Sequence, residues 1–213
     1  MTQEPKWRRR SEARPEEIVE AALAVFSERG FAAARLEDIA RRAGVTKGTL
    51  YLYFDDKQAL FKAAVQTHIL TYVAEVEDHL SQGDAPAPMV LRAVIGGIGG
   101  HLLSQPAGVI PKLLVAEAGN FPDLVRFYMD AVIKRGLGLI GRTVERGVAE
   151  GDFAPIAPNV AARLLMAPVA MMAIWRHSLA PWDPDPVDPD EWLAAHLTVT
   201  LAGLAIGKGE KTA

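Results

Sequence analysis

Apolar residues recur at spacings of three and four along most of this chain, and no segment alternates strictly between apolar and polar. That pattern predicts helices throughout and no sheet. Over Arg14 to Arg29, the residues Ile18, Ala21, Ala22, Val25 and Phe26 fall on one stripe. Pro15 suits a first turn, and Glu16 and Glu17 favour the positive end of the helix dipole. Gly30 ends this helix, and Phe31 is expected to pack beneath it. Leu36, Ile39, Ala40 and Ala43 mark a short second helix. Gly44 stops it, because glycine takes a left-handed backbone at little steric cost. Thr46 can cap a third helix by accepting from a backbone N–H two or three residues on. Leu50 and Phe54 then face inward, while Lys47, Thr49, Tyr51 and Tyr53 face outward.

Asp55 and Gln58 have capping-box spacing. A helix from there to about Leu80 would be about 25 residues, or roughly 37 Å, long. Gln82 to Pro88 reads as a loop. Helices are expected over Met89 to Ser104, Val109 to Ala118, Pro122 to about Glu150, Val160 to Leu179 and Trp192 to Ile206. Gly119, Asn120 and Pro122 break the chain, as do Gly151-Asp152 with Pro155 to Pro158, and Pro181 to Pro189. Residues 1–13 read as a disordered basic arm carrying Arg8 to Arg10, which serves either as a solvated tail or as a contact to a DNA backbone or minor groove. Residues 208–213 read as a polar tail. No internal repeat is present.

The most telling stretch is LEDIARRAGVTKGTLYLYF, Leu36 to Phe54. Two short helices set at an angle by a glycine turn, with basic, hydroxyl and aromatic residues outward, suit insertion into a DNA major groove. From RPEEIVEAALAVFSERGF at Arg14, through this stretch, to DDKQALFKAAV at Asp55 to Val65, the chain closely resembles the TetR family of transcriptional repressors. Further on, the resemblance is one of architecture and of landmarks such as EAGNFPDL, Glu117 to Leu124. It implies an all-α fold, with a three-helix helix-turn-helix domain over 14–62 and a helical effector-binding and dimerisation domain over 63–207. It also implies a homodimer on a palindromic duplex operator, released by a small-molecule effector that is not identified. The long helix would connect the two domains. Arg35, Thr46, Lys47, Gly48, Thr49, Tyr51, Tyr53 and Lys57 are the expected DNA contacts. Lys47 can donate to guanine or phosphate, Gly48 lets the backbone approach, and Lys57 lies at a helix start suited to a phosphate. Where the family commonly opens its second helix with threonine or serine, this chain has Ala34-Arg35. The cap is weakened there by about 1 kcal/mol, and Arg35 can restore the phosphate contact.

Composition narrows the picture. Half of the 213 residues are apolar, which argues against disorder, and there are no cysteines, which excludes disulfides, thiolate metal sites and thiol nucleophiles. The net charge of −3 is unevenly spread: residues 1–62 hold 12 Lys/Arg against 10 Asp/Glu, and residues 63–213 hold 11 against 16. That balance permits phosphate contact without demanding it. No segment is expected to span a membrane, since Arg163 and Pro168 interrupt the best candidate, Val160 to Trp175. The basic N-terminus has no apolar run behind it and is not expected to be a signal peptide. A cytoplasmic protein is the expectation.

Other candidate chemistry is weak. Gly96-Gly97-Ile98-Gly99-Gly100 lacks the strand and spacing of a phosphate loop, so close helix packing accounts for it better. The histidines His68, His79, His101, His177 and His196 show no metal-ligand spacing, and no catalytic arrangement can be drawn. No cofactor, metal or catalytic residue is assigned. Leu164, Leu165, Met171, Met172 and Trp175, with Leu193, Leu197, Leu201 and Leu204 in the last helix, are too apolar for a surface helix pair. They are expected to form the dimer interface, for which the resemblance implies a four-helix bundle. An effector pocket is expected between the long helix, the glycine-rich helix and the helix from Pro122, with His68, Tyr72, His101, Phe127 and Trp175 as lining. The alternative reading is a helical small-molecule-binding enzyme or carrier with an incidental helix-turn-helix.

Overall fold

The computed structural model describes residues 15–81, 85–104 and 106–205. The basic arm, the 208–213 tail and the Gln82–Asp84 part of the first loop lie outside these residues. Among the described residues eleven α-helices follow one another: α1 Pro15–Arg29, α2 Leu36–Arg42, α3 Lys47–Tyr51, α4 Lys57–Val65, α5 Thr71–Ser81, α6 Ala87–Ser104, α7 Ile110–Glu117, α8 Pro122–Tyr128, α9 Lys134–Glu150, α10 Pro158–Ser178 and α11 Pro189–Leu204. Among the described residues the sole β-type pairing is a bridge between Phe153 and Ala205.

Two expected long helices are continuous but wider-wound in the middle. A π-helical turn, Gln66–Leu70, joins α4 to α5, and another, Met129–Ile133, joins α8 to α9. Thr71 Oγ1 donates to the Gln66 carbonyl at 3.1 Å, taking up a helical acceptor at the first of them. Helix starts shift by a residue or more where side chains cap differently from the expectation. Asp56, rather than Asp55, caps α4 by accepting from Ala59 N at 2.7 Å. Asp188 caps α11, accepting from Asp190 N and Glu191 N, so that helix begins three residues before Trp192.

Two apolar cores form. The first gathers α1–α5 with α7, α8 and the second π turn, around Phe26, Phe31, Leu50, Phe61, Leu113 and Leu124. It therefore crosses the sequence boundary at residue 62. The second gathers α6, α9, α10 and α11 around Leu91, Ile95, Ile140, Leu165 and Leu197. The glycine cluster lies on α6 and sets how closely its neighbours approach. A Cβ built on Gly99 would stand 2.7 Å from Leu193 Cδ1, and one on Gly96 3.3 Å from Leu197 Cδ1. Close packing accounts for Gly96, Gly97 and Gly99, whereas Gly100 has open space where a Cβ would stand.

Two sequence expectations are corrected here. Leu193, Leu197, Leu201 and Leu204 are each 7–9% exposed and belong to the second core. They pack on α6 within one chain, because its glycines let α11 lie against it, and so leave little surface for a partner. Also, the expectation that Arg163 and Pro168 leave the α10 region too short and interrupted for a span is not met by length and composition, since α6 and α10 both reach that length and apolarity, a test that buried core helices pass as well. Both contribute residues to the second core.

Candidate nucleic-acid interface and helical cavity

The helix-turn-helix forms as the residue pattern requires. Ile39 and Leu50 are fully buried in the first core, where α2 packs on α1 and α3 packs on α2. Gly44 sits at φ +71, the left-handed turn that redirects the chain. Thr46 caps α3, its Oγ1 accepting from Thr49 N at 3.0 Å and lying 2.8 Å from Thr49 Oγ1. Thr49 is consequently half-buried, while Lys47, Gly48, Tyr51 and Tyr53 are exposed. Tyr51 and Tyr53 show 45% and 48% of their surface. Such rings are available to a partner and are not needed by the core.

Lys47 does not hang free. Its ammonium pairs with the Glu37 carboxylate and lies 5.7 Å from the centre of the Tyr51 ring. The bond to Glu37 pushes the Lys47 amine up, and the same bond draws the Glu37 carboxyl down. A phosphate or base reached by Lys47 would displace Glu37. Arg35 occupies the position before α2, exposed and with no side-chain cap. The weakened cap expected from Ala34-Arg35 is present, and Glu37 and Asp38 in the first turn complement the dipole instead.

Lys57 departs from the DNA-facing role. Its Nζ donates to the carbonyls of Phe31 at 2.8 Å and Ala32 at 2.7 Å. It lies over the rings of Phe31 and Phe121, 4.9 and 5.5 Å from their centres. Burial pushes the amine down, and Glu117 opposes that. Lys57 is thus a strut under the turn between α1 and α2. Two of its three donors are used inside the chain.

Glu117 is the residue that sequence reading passed over. It ends α7, is 8% exposed, and accepts from Ala32 N at 2.9 Å and from Asn120 Nδ2 at 3.0 Å. With Phe121 packed edge-on against Phe31 at 4.9 Å between ring centres, it joins the α7–α8 corner to the base of the helix-turn-helix. The landmark EAGNFPDL is therefore a joint. A glutamate closing a largely apolar helix that also carries Lys112 does not by itself reveal that partner.

Between α5, α6, the second π turn, α9 and α10 lies a cavity of about 130 Å³. Its wall is almost wholly apolar, including Ile69, Val73, Ile98, Val132, Leu137 and Met166, with Tyr72 and His101 among the lining. Their rings stack at 4.7 Å. The missing side chain of Gly97 makes room for the Tyr72 hydroxyl, which would stand 2.1 Å from a Cβ there. Burial holds His101 below the usual imidazole range, partly opposed by a hydrogen bond with the His68 backbone.

The other three expected lining residues are elsewhere. His68 lies beside the cavity and turns to α1, with Nε2 3.1 Å from Glu20 Oε1. Phe127 lies under Lys62 against the first core, and its neighbour Tyr128 lines the cavity instead. A one-residue change rotates a helical side chain by about 100°, so Phe127 and Tyr128 face different ways. Trp175 is on the outside of α10, where its Nε1 donates to Asp183 Oδ2 at 2.9 Å.

Comparison with known proteins agrees with this architecture. Residues 18–64 match the bacterial regulatory proteins of the tetR family, and residues 89–203 match the AefR-like transcriptional repressor C-terminal domain. The uncharacterized HTH-type transcriptional regulator YvdT of Bacillus subtilis (strain 168) is 38% identical over 80 residues, which are 38% of this chain and 41% of that protein. The A-factor receptor protein of Streptomyces griseus is 42% identical over 153 residues, which are 70% of this chain and 50% of that protein. The matched region thus spans half or less of either relative.

Among solved structures, the regulator FadR from Bacillus subtilis, in complex with stearoyl-CoA, superposes with a TM-score of 0.73 at 19% identity. That match covers 90% of this chain and 100% of FadR, and it shows a shared fold. NalD, the secondary repressor of the MexAB-OprM multidrug efflux pump in Pseudomonas aeruginosa, superposes with a TM-score of 0.71 at 25% identity, covering 90% and 96%. Two successive family matches, one on the helix-turn-helix and one on the helical domain behind it, establish that the chain belongs to the TetR family of DNA-binding transcriptional regulators.

Proposed function

We propose that the protein is a homodimeric repressor that binds a palindromic operator through Arg35, Thr46, Lys47, Gly48, Thr49, Tyr51 and Tyr53, and is released by a compact apolar effector. The observation that carries the DNA reading is the outer face of α3 and the turn after it, where Lys47, Gly48, Tyr51 and Tyr53 are exposed and unneeded by the core. Among the described residues nothing crowds Gly48, whose Cβ would meet only Thr46 Oγ1 at 3.8 Å. An external surface is the better reason for a glycine there. Residues 14–62 read DNA and residues 63–207 dimerise and bind the effector. Acting on DNA places the protein in the cytoplasm. The enzyme or carrier alternative is not favoured, because it leaves both the α3 face and the family matches unused.

Dimerisation is assigned to the outside of α10. Leu164, Met171 and Trp175 are 62%, 59% and 41% exposed, and Met172 flanks them half-buried. For the effector, Tyr72 and His101 are the lining residues retained from the sequence. A cavity of about 130 Å³ is close to the size that admits one benzene-like ring. A long acyl chain such as that of the stearoyl-CoA bound by FadR would require the walls to part. An apolar wall favours neutral ligands, since a buried charge needs a partner.

An effector can release DNA only by binding the non-DNA form better, and DNA must weaken the effector by the same factor. The π turns Gln66–Leu70 and Met129–Ile133, which contribute Ile69, Val132 and Ile133 to the cavity wall, are the proposed yielding points. From there the Glu117 joint leads to the turn below α2.

The test is fluorescence anisotropy on a palindromic duplex selected from a random library, with Lys47→Ala and Tyr51→Ala. A lost base contact should relax specificity at one position by about 1–3 kcal/mol, and a lost phosphate contact should lower the salt slope by about one. Wild-type affinity in both variants would remove α3 as the reading helix.

A further inference from the structure

The exposed seam of α10 has unlike ends. Val160 at 47%, then Leu164, Met171 and Trp175, run along one side with exposed Ala167 between them. Their spacings of four and three are those of a helix-pairing seam. Beyond the C-terminal end lies the connection to α11, residues 179–188, which holds Asp183, Asp185 and Asp188 and no Lys or Arg. Asp190 and Glu191 continue the negative charge into α11. Trp182 stands out from this connection, 85% exposed.

That connection is built rather than loose. Asp183 accepts from Trp175 Nε1 and, at 3.1 Å, from Asp185 N; Trp182 N donates to the Leu179 carbonyl at 2.9 Å; and Asp188 caps α11. Beside the N-terminal end of α10 is a surface groove of about 480 Å³. Met129, Ile133 and Leu137 give it an apolar part, and Lys134, Arg142 and Arg163 outweigh its single carboxylate, Asp130. Met129 is 50% exposed.

We propose that the acidic Trp182 connection of one protomer seats in the basic groove beside the start of α10 in a second copy. The proposal rests on the dimer reading above. A two-fold contact uses the same patch on both chains, so its axis lies near the middle of the seam, at Ala167 and Pro168. With that axis across α10 the two helices run antiparallel, and each acidic end meets a basic end. With the axis along α10 they would run parallel, bringing acidic connection to acidic connection and groove to groove. Like-charge juxtaposition of that kind disfavours the parallel arrangement.

The reach is adequate. α10 has 21 residues, about 31 Å at 1.5 Å each. At a crossing angle of about 20°, its ends diverge from the partner by only about 5 Å. An indole supplies the large apolar anchor that interface centres favour, and the aspartates fix the register.

The test is sedimentation equilibrium of the full chain. Trp182→Ala should raise the dimer dissociation constant by about tenfold, as for a hot-spot residue. Asp185→Lys and Arg142→Glu should each weaken the dimer, and the two together should recover it, with helical circular dichroism unchanged throughout. Leu164→Asp tests the seam separately. If it gives monomers while Trp182→Ala is neutral and the charge pair shows no recovery, the seam stands and the connection–groove contact is overturned. A wild-type monomer, or a dimer indifferent to Leu164→Asp, overturns both.

Discussion

Replacing Glu117 by alanine should uncouple the helical domain from the reading head. The carboxylate is 8% exposed and accepts from the Ala32 amide, 85 residues away, and from Asn120. Without it, both donors lose their acceptor in a part-buried corner. A hydrogen bond to a charged group is worth about 1.5–3 kcal/mol. Removing the carboxylate also removes the cost of its burial, which offsets part of the loss. The expected net destabilisation is about 2 kcal/mol. Lys57 loses the one charge that opposes its desolvation. Glu117→Gln keeps an oxygen for the Ala32 amide but not the charge, so about half the effect is expected.

Urea unfolding followed by far-ultraviolet dichroism reads the stability difference, provided the slope is unchanged. Operator anisotropy reads the coupling. Glu117→Ala should weaken DNA binding although no α3 residue has changed. Stability within about 0.5 kcal/mol of wild type, the ordinary scatter of a surface substitution, would refute the energetic argument. Lost stability with unchanged operator affinity and effector response would make the corner structural and place the coupling route elsewhere.

Three further outcomes follow from the packing. Gly147→Ala should destabilise by about 1–3 kcal/mol, measured by urea unfolding, because its Cβ would stand 2.2 Å from Phe153 Cδ2 and 3.0 Å from Ala87 Cβ; a gain from helix propensity alone would contradict that geometry. Leu197→Asp should lower the melting temperature and broaden unfolding, whereas Leu164→Asp should give folded monomers, because Leu197 is 7% exposed inside the second core and Leu164 is 62% exposed outside it. His101 and His177 are both held below the ordinary imidazole value by burial. The unfolded chain therefore takes up protons first, and stability, full above about pH 6.5, should fall as pH drops through the lowered folded values. His101→Phe and His177→Phe together should flatten that slope in melting temperature against pH, and an unchanged slope would place the titrating groups elsewhere.

What the sequence determined by itself was local. The stripe on α1, the glycine at φ +71 and the Thr46 cap are set within a few residues, so the helix-turn-helix was legible, and the outward face of α3 with it. Helix order was legible too, because the breakers are glycines and prolines whose backbone preferences need no partner. The π turns were not, since their hydrophobic pattern differs little from that of an ordinary helix.

Everything that depended on which helix lies against which was decided by the tertiary structure. The leucines of α11 and the exposed residues of α10 have the same apolar character in sequence. Gly96 and Gly99 draw α11 onto α6, burying the first set and leaving the second outside. Lys57 looked like a phosphate ligand until the carbonyls of Phe31 and Ala32 claimed it. Tyr128, not Phe127, faces the cavity because a helix turns its side chains by position, and the facing direction is fixed only by the neighbours. Glu117 gave no sequence signal of its role because its partner amide lies 85 residues away. Periodicity carries information over one or two turns of helix, and long-range burial and hydrogen bonding are set by packing between helices that the pattern does not name.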